Sequence, residues 1–288
     1  MTSRHDGAPT REEGRARSSL RGWTLAGPVV VLSAALFLVP TVEVLRYSVT
    51  GEDGGFGLDR FAKFFGDPFY VNILLTTLVL ALVTTVITAV LGLPFAYALA
   101  TKPGFQGFQL FALLSPLLIN GVVRIFGLQI LLNAINKGLL ALGLIPAPLP
   151  LLNSIYGIVI GLVLVMFPFM TIAIFASVSR IDGSLSEAAR TLGAGRLRTF
   201  LDIVLPLAMP GLIVGSILTF TGTVGSYFVP AMMGGNTTIT MPVLVFNSVS
   251  QLNQWPFGAA VAIILVVVVM PFLIYTSRRA FSTRSLES

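Results

Sequence analysis

Between two long apolar runs, the chain carries a segment rich in charged and small residues, Ser184-Leu-Ser-Glu-Ala-Ala-Arg-Thr-Leu-Gly-Ala-Gly-Arg-Leu-Arg-Thr-Phe-Leu-Asp-Ile-Val-Leu-Pro206. Ser184 and Glu187 stand three residues apart, the spacing at which a serine hydroxyl caps an amide and a carboxylate bonds back, so a helix begins here. Gly193 is expected to end that helix. The segment is therefore predicted to be a short capped helix, a glycine joint and a second helix that enters the next apolar run at Pro206, together forming a docking element.

The composition places this segment in a membrane protein. Hydrophobic residues make up 55% of the 288 residues and charged residues only 10%, which leaves too few polar side chains to cover a soluble domain. Six segments stay apolar for about 20 residues, the length that crosses a ~30 Å hydrocarbon core as a helix. They are approximately residues 23–42, 73–99, 108–128, 155–178, 210–229 and 257–275. The fold class is predicted to be all-α and transmembrane, with the short run 138–145 at the outer surface.

Basic residues indicate the orientation of the spans. With six spans both termini lie on one side, and that side holds most of the 18 lysines and arginines. They are Arg4, Arg11, Arg15, Arg17, Arg21, Lys102, Arg180, Arg190, Arg196, Arg198, Arg278, Arg279 and Arg284. The positive-inside rule makes this side cytoplasmic and places the segment 184–206 there. The net charge of +6 is explained by this rule and by contact with the anionic headgroups of the lipid bilayer, so no nucleic acid partner is expected.

Four regions are expected along the chain. Residues 1–21 are predicted to be a disordered cytoplasmic tail, and 22–70 the first transmembrane helix with an outer loop. The first apolar run is long and lacks an obvious small-x-small site, which favours an uncleaved span over a signal peptide. Residues 71–279 are predicted to be the transmembrane core, with a cytoplasmic loop over 179–208, and 280–288 a second cytoplasmic tail.

Several kinds of chemistry are missing from the sequence. The only histidine, His5, lies in the tail, there is no cysteine, and neither HExxH nor GxSxG occurs, so no metal, cofactor or catalytic residue is expected. No G-x-x-x-x-G-K-[ST] loop is present, so ATP would have to act through a partner. Arg124 is the one charge in spans two to six, whereas proton- and sodium-coupled carriers keep acidic residues at mid-membrane. A secondary transporter or channel without ATP coupling, and a membrane-embedded enzyme, are the less favoured alternatives.

Two motifs resemble a known family. Glu187-Ala188-Ala189, followed after three residues by Gly193 and after nine more by Ile203-x-Leu205-Pro206, resembles the E-A-A-x3-G-x9-I-x-L-P signature of permease subunits in binding-protein-dependent ABC importers. Asn253-x-Trp255-Pro256-Phe257-Gly258-Ala259-Ala260, with Gly234-Gly235 shortly before it, resembles the spermidine/putrescine branch of that family. The resemblance covers about residues 71–279.

The resemblance implies a six-helix type I ABC importer permease fold (MetI-like) with cytoplasmic termini, in a multi-pass protein of the bacterial cytoplasmic (inner) membrane. It implies three protein partners: a cytoplasmic ABC ATPase dimer, a second homologous permease subunit and an extracytoplasmic substrate-binding protein. The segment 184–206 is then the coupling element that sits in a groove of the ATPase. Its expected coupling residues are Ser184, Glu187, Ala188, Ala189, Arg190, Gly193, Leu205 and Pro206. The alternative is that the arginines only set topology and the alanines only favour a helix.

The fifth span carries the best candidates for the substrate pathway. Four hydroxyl residues are spaced 3, 4 and 3 apart, which places them on one helical face: Ser216, Thr219, Thr223 and Ser226. A neighbouring strip of glycines would let another helix approach closely: Gly211, Gly215 and Gly222. The hydroxyls are expected to face a water-filled seam between two permeases. The alternative is that they bond back to carbonyls of their own helix.

Two further residues are expected in the pathway. Arg124, placed late in the third span near the outer surface, is a candidate gate or dimer contact, and the alternative is that it reaches the headgroups. Tyr227, with Phe228, offers a face for cation–π contact with a polyamine such as spermidine or putrescine. The segment between Gly222 and Gly235 lacks the acidic residue that many polyamine-branch members show. Ferric ion, thiamine, opines and phosphonates therefore stay open as alternative cargoes.

Overall fold

A computed structural model describes residues 11–50, 55–101, 103–182, 184–185, 189, 191, 193–235 and 237–282. Apart from one isolated bridge between Thr50 and Phe56, the regular structure in these residues is helical, which confirms the all-α prediction. The helices are α1 (Arg11–Val49), α2 (Asp59–Gly66), α3 (Pro68–Thr101), α4 (Pro103–Leu118), α5 (Gly121–Ala141), α6 (Ile155–Val178), α7 (Arg196–Thr199), α8 (Leu205–Val224), α9 (Phe228–Met233), α10 (Met241–Ser250) and α11 (Trp255–Ser282). A π-helix, Phe200–Val204, joins α7 to α8.

Six helical stretches among the described residues are long and apolar enough to cross a membrane, as predicted. They are Gly27–Val49, Pro68–Thr101, Gly121–Ala141, Ile155–Val178, Leu197–Val224 and Trp255–Thr276. Helix α1 begins at Arg11, inside the segment 1–21 for which a disordered tail was expected, while residues 1–10 lie outside the described residues. Glu13 precedes Arg17 by four residues, a spacing that favours a helix there.

The predicted boundaries of the third span are wrong. The apolar run 108–128 is not one helix, because α4 ends at Leu118 and α5 begins at Gly121. Asn120 caps the new helix: its side-chain Oδ1 accepts a hydrogen bond of 2.9 Å from the amide of Val122. The span therefore lies over Gly121–Ala141, and it includes the first residues of the run 138–145 that was expected at the outer surface.

The fifth span also ends earlier than predicted. Helix α8 ends at Val224, where the amide of Gly225 donates to the carbonyl of Thr221 and closes the last turn. The chain then forms the separate short helix α9. The predicted span 210–229 therefore combines most of α8 with the beginning of α9.

Helices α3, α6 and α8 form the centre of the molecule. Helix α8 approaches α6 through its glycine strip: a methyl group on Gly211 would overlap the carbonyl oxygen of Ala173, and one on Gly215 would lie 2.6 Å from Met170 Sδ. The strip thus allows close helix contact, as predicted, and the neighbouring helix belongs to the same chain. Helix α1 contacts α11, α10 packs on α11, and α9 lies against α5 and α6.

Two apolar clusters fill the centre at different depths. The outer cluster joins α3, α5, α6 and α9 and consists of Leu80, Ile125, Leu132, Ile158, Leu162, Val229 and Met233. The inner cluster joins α3 and α6 to the π-helix and α8 and consists of Leu93, Ala96, Met170, Ile174, Val178, Val204 and Ala208. Because the basic residues place the end of α3 on the cytoplasmic side, the inner cluster lies next to the segment 184–206.

Candidate functional site

The segment 184–206 begins with a turn held by Asp182. The amide of Ser184 donates to Asp182 Oδ1 at 2.9 Å, and the amide of Leu185 donates to the Asp182 carbonyl at 3.2 Å. The hydrogen bonds that Ser184 donates from its amide and its hydroxyl stabilise the ionised carboxylate and lower the pKa of Asp182 below its ordinary value. Asp182 therefore caps this end of the segment, two residues before the predicted cap Ser184. Aspartate is a preferred capping residue, so the sequence held a signal for it.

The first helix of the segment ends at Gly193, as predicted. Gly193 has a φ of +83°, in the left-handed region that favours glycine. The amide of Ala194 donates to the carbonyl of Ala189 at 3.0 Å, which is the six-residue closure found where helices end in a left-handed residue. Three further predicted coupling residues lie outside the described residues: Glu187, Ala188 and Arg190.

A cleft lies where the first helix meets the second. It has a volume of about 310 Å³ and is lined by Ala189, Gly193, Ala194, Arg198, Thr199, Asp202 and Ile203. On its rim, Arg198 Nε and Asp202 Oδ2 form an exposed ion pair of 3.2 Å across one turn. An exposed pair at this spacing contributes only about 0.3–0.5 kcal/mol, so both charges stay available to a partner.

The second helix of the segment is tied to the bundle. Thr199 is buried and donates its hydroxyl to the Gly195 carbonyl at 3.1 Å. Phe200 meets Tyr97 of α3 edge to face, with ring centroids 5.5 Å apart. The π-helix runs directly into α8, which begins at Leu205 with Pro206 in its first turn, where the missing proline amide costs nothing. The segment is thus joined to α8 along the chain and to α3 through Tyr97, a residue that sequence reasoning missed.

The four predicted pathway hydroxyls do not share one open face. Thr219 and Thr223 are buried inside the chain, with 0% and 4% of their surface exposed, whereas Ser216 and Ser226 are half-buried. Ser226 lies beyond the end of α8, and its amide donates to the Thr223 carbonyl at 3.1 Å. The expectation of a continuous hydroxyl face toward a seam is therefore corrected: helical spacing identified a shared side of α8, and other helices of this chain cover its middle.

Arg124 lies at the joint between α4 and α5 rather than late in one continuous span. It is in the first turn of α5, half-buried, and its Nη1 donates to the carbonyl of Pro116 in α4 at 3.1 Å. The contact bridges the break that Asn120 creates. Within the part of the chain that the structure describes, the buried Arg124 Nε has no hydrogen-bond partner, which leaves a donor for another ligand.

Tyr227 belongs to an aromatic group beyond the outer end of α8. Its ring lies 4.5 Å from that of Phe246 on α10 and 5.5 Å from that of Phe228. Phe228 and Phe246 are exposed at 58% and 42%, so two aromatic rings face outward beside the tyrosine. Phe246 was not predicted, because no sequence spacing links it to Tyr227 across the loop between α9 and α10.

Helix α9, which carries Phe228, is held from two sides. Gln129 of α5 donates its side-chain amide to the Met232 carbonyl at 2.6 Å. The backbone amide of Ser154, just before α6, donates to the Met233 carbonyl at 3.1 Å. These bonds fix the aromatic group against α5 and α6, and no pattern in the sequence indicated them.

Comparisons with known proteins identify the family. The family model described as binding-protein-dependent transport system inner membrane component matches residues 28–286. Spermidine/putrescine transport system permease protein PotB of Escherichia coli K12 is 37% identical over 271 residues, which cover 92% of this chain and 97% of that protein. PotB of Salmonella typhimurium SL1344 is 37% identical over 259 residues, covering 88% and 89%. A putative 2-aminoethylphosphonate transport system permease, PhnU of Salmonella typhimurium LT2, is 28% identical over 253 residues, covering 85% and 87%.

The fold is shared with a solved transporter. One chain of a bacterial ABC transporter involved in the import of the acidic polysaccharide alginate superposes with a TM-score of 0.74 at 17% identity, covering 95% of this chain and 99% of that one. This likeness confirms the predicted ABC importer permease fold, and the family match confirms the inner-membrane location. The chain belongs to the family of inner-membrane components of binding-protein-dependent transport systems and is a permease subunit of an ABC importer.

Proposed function

We propose that this chain is a non-catalytic subunit that forms half of a translocation pathway together with a second homologous permease. A cytoplasmic ATPase dimer would hydrolyse ATP and act on the segment 184–206, and an extracytoplasmic binding protein would deliver the cargo. The observation that carries the proposal is the coupling signature, whose glycine occupies the left-handed position that ends a helix. A short helix with a fixed end is suited to transmitting a displacement.

The contacts of the segment support a coupling role. Asp182 fixes its beginning, Gly193 ends its first helix, and Phe200 joins its second helix to α3. The cleft beside Gly193 is open, and the charges of Arg198 and Asp202 stand on its rim. A groove on a partner that offers apolar pockets and opposite charges would fit this surface.

Reversal of the signature carboxylate tests the coupling role. Glu187→Arg is expected to lower uptake while ATP hydrolysis continues, because the docking contact would be lost. The matched control is Glu43→Arg, which reverses an exposed carboxylate of α1 that lies far along the chain from the segment. Both activities are measured in membrane vesicles that contain the complete importer at equal permease content. Normal uptake per ATP in Glu187→Arg would contradict the proposal.

The proposed cargo is a polyamine of the spermidine/putrescine type. The two PotB proteins are permease proteins of spermidine/putrescine transport systems, and they are similar to this chain over most of its length. The sequence holds no Asp or Glu at 68–181 or at 203–286, so spans two to six offer no carboxylate as a cation contact except Asp202 at the start of the fifth. The rings of Tyr227, Phe228 and Phe246 offer an alternative, since aromatic faces attract ammonium groups within about 6 Å. The half-buried Ser216 and Ser226 would line the same route.

A phosphonate is the second candidate cargo, and Arg124 favours it. Arg124 is a half-buried cation in the third span, and a guanidinium binds phosphate-like oxygens well. The similarity to the putative 2-aminoethylphosphonate permease points the same way. Uptake of labelled putrescine, spermidine and 2-aminoethylphosphonate would separate the two. For a polyamine, Tyr227→Leu should weaken uptake and Arg124→Gln should not; for a phosphonate, the two effects should be reversed.

A further inference from the structure

The apolar centre of the molecule is interrupted between the outer cluster and the inner cluster. On α3 the outer cluster ends at Leu80 and the inner cluster begins at Leu93. On α6 the outer cluster ends at Leu162 and the inner cluster begins at Met170. The buried residues of α3 between these points are small or polar: Ala81, Thr84, Thr85, Thr88 and Gly92. On α6 the same interval contains the buried Pro168. A layer with hydroxyl groups therefore lies between the outer and inner clusters, beside a third apolar cluster of Ala81, Phe220, Val224 and Val269.

Four threonines of this region form what we call the hydroxyl belt: Thr84, Thr171, Thr219 and Thr223. Their exposed fractions are 0%, 0%, 0% and 4%. In the part of the chain that the structure describes, the hydroxyl oxygen of each has no hydrogen-bond partner. The belt draws one residue from α3, one from α6 and two from α8.

Contacts between α6 and α8 place the two α8 threonines at the depth of the interruption. A methyl group on Gly215 would lie 2.6 Å from Met170 Sδ, and one on Gly222 would lie 2.9 Å from Met166 Sδ. Thr219 lies between these two glycines on the same side of α8. Thr223 follows Gly222, one turn beyond Thr219.

Contacts between α3 and α6 place the other two threonines. A methyl group on Gly92 of α3 would lie 3.1 Å from Thr171 Oγ1, so this hydroxyl points at the α3 backbone. Thr84 lies two turns from Gly92 and one turn from Leu80, which belongs to the outer cluster together with residues of α6. The belt residues therefore lie on all three central helices, with Thr84 about 12 Å along α3 from the level of Gly92 and Thr171.

The bonding of neighbouring threonines sets the belt apart. A threonine in a membrane helix ordinarily donates to a carbonyl of its own helix. Thr85 does so to Ala81 at 2.7 Å, and Thr88 to Thr84 at 2.8 Å. A buried hydroxyl that lacks such a bond carries an uncompensated desolvation penalty, so four of them call for a bound partner.

Pro168 adds a further group to this layer. Proline has no amide hydrogen, so the carbonyl of Leu164, four residues earlier in α6, loses its helical donor. A ligand at the belt must therefore donate to a carbonyl and both donate to and accept from hydroxyls. Water does both, and it binds buried polar groups with about two to four hydrogen bonds. A metal cation is less suited, because the belt offers no carboxylate.

We propose that the hydroxyl belt binds internal water molecules in the middle of the membrane. A water molecule here can move its hydrogen bonds from a hydroxyl of one helix to a hydroxyl of another among α3, α6 and α8, at little cost in free energy. The outer and inner clusters can then shift relative to each other while each stays packed. The site lies within one chain and needs neither the proposed cargo nor the second permease.

X-ray hydroxyl-radical footprinting tests the site directly, because radicals formed from bound water oxidise the nearest side chains. The complete importer in lipid nanodiscs is irradiated and methionine oxidation is measured. Met170 belongs to the inner cluster and lies beside the belt, whereas Met233 lies in the outer cluster, and both are 0% exposed. Oxidation of Met170 is expected to be several-fold faster than that of Met233. Equal rates at the two methionines would overturn the proposal.

Replacement of a hydroxyl by a methyl group gives a second, independent measurement. Thr219→Val is expected to slow Met170 oxidation and lower the melting temperature, because bound water loses a partner. Thr85→Val is the matched control, since Thr85 is also buried but bonds to its own helix; it should leave Met170 oxidation unchanged. A melting temperature raised by Thr219→Val would show that the hydroxyl is unpaired and would overturn the proposal.

Discussion

Replacement of Gly193 by alanine isolates the role of the left-handed residue in the coupling element. No atom of the described residues lies within 4 Å of the position that a Cβ would take, so among them the added methyl group meets open space. The cost of the change is therefore conformational. At a φ of +83°, a residue with a Cβ is strained by roughly 1–2 kcal/mol relative to glycine. If this strain falls on the docked geometry, the coupled fraction decreases about 5–30-fold.

The chain provides a matched control two residues away. A methyl group on Gly195 would also meet open space, and its φ lies outside the left-handed region. Gly195→Ala is therefore expected to keep coupling near the wild-type level. Gly193→Asn should fall between the two, because asparagine tolerates the left-handed conformation better than alanine does.

The assay is the ratio of cargo taken up to ATP hydrolysed, in vesicles that contain the complete importer at equal permease content. Gly193→Ala should lower this ratio, and Gly195→Ala should not. An equal ratio in Gly193→Ala and wild type would refute the reasoning, because the closed helix end would then be dispensable for coupling. An equal loss in both variants would also refute it, since the loss could not come from the φ of Gly193.

Three further changes test the packing and the loops. Gly211→Ala should lower the melting temperature, by a destabilisation of about 1–3 kcal/mol, because its methyl group overlaps the α6 backbone, whereas Gly225→Ala meets only an ordinary contact. Asn136→Ala should cost about 1–2 kcal/mol in thermal unfolding through two lost hydrogen bonds to the outer loop, and the exposed Asn133→Ala should cost little. Asp182→Ala should reduce uptake per ATP and Asp182→Asn should reduce it less, because an amide oxygen still accepts the capping bond but carries no charge. Since the pKa of Asp182 is lowered in the folded protein, its ionised carboxylate stabilises the segment at pH values above the ordinary aspartate pKa. This stabilisation is lost as the pH falls through the lower folded pKa. Uptake that does not change as the pH falls through that value would contradict this.

The sequence predictions that the structure confirms rest on the lengths of the apolar runs and on the conformational properties of glycine. Hydropathy gave six spans because each must remain apolar whatever it packs against. Gly193 could be assigned because few residues other than glycine adopt the left-handed conformation that commonly ends a helix. The glycines of α8 were recognised as a close-approach strip, yet their partner α6 was not, since spacing defines a face and does not say which helix covers it.

Local capping and long-range contacts caused the differences. The third span was misplaced because residues 108–128 are almost uniformly apolar, and a single side chain, Asn120, begins the new helix inside the run. Thr219 and Thr223 were expected at a seam, and three-helix packing buries them. The pair of Tyr227 and Phe246 depends on the path of the loop between α9 and α10, which no periodic pattern encodes.

Helix α1 separates two properties that are usually considered together. None of its apolar window is buried in the chain, and it contacts the bundle through α11. Its side chains meet hydrocarbon whether or not the bundle has formed, so it adds little to the free energy of folding. During synthesis, however, it is the first of the six spans to reach the membrane, and its basic flank directs how the later ones are threaded. The packing of α3, α6 and α8 thus supplies most of the stability. The orientation of the protein in the bilayer is set earlier, by a helix that makes few contacts with those three.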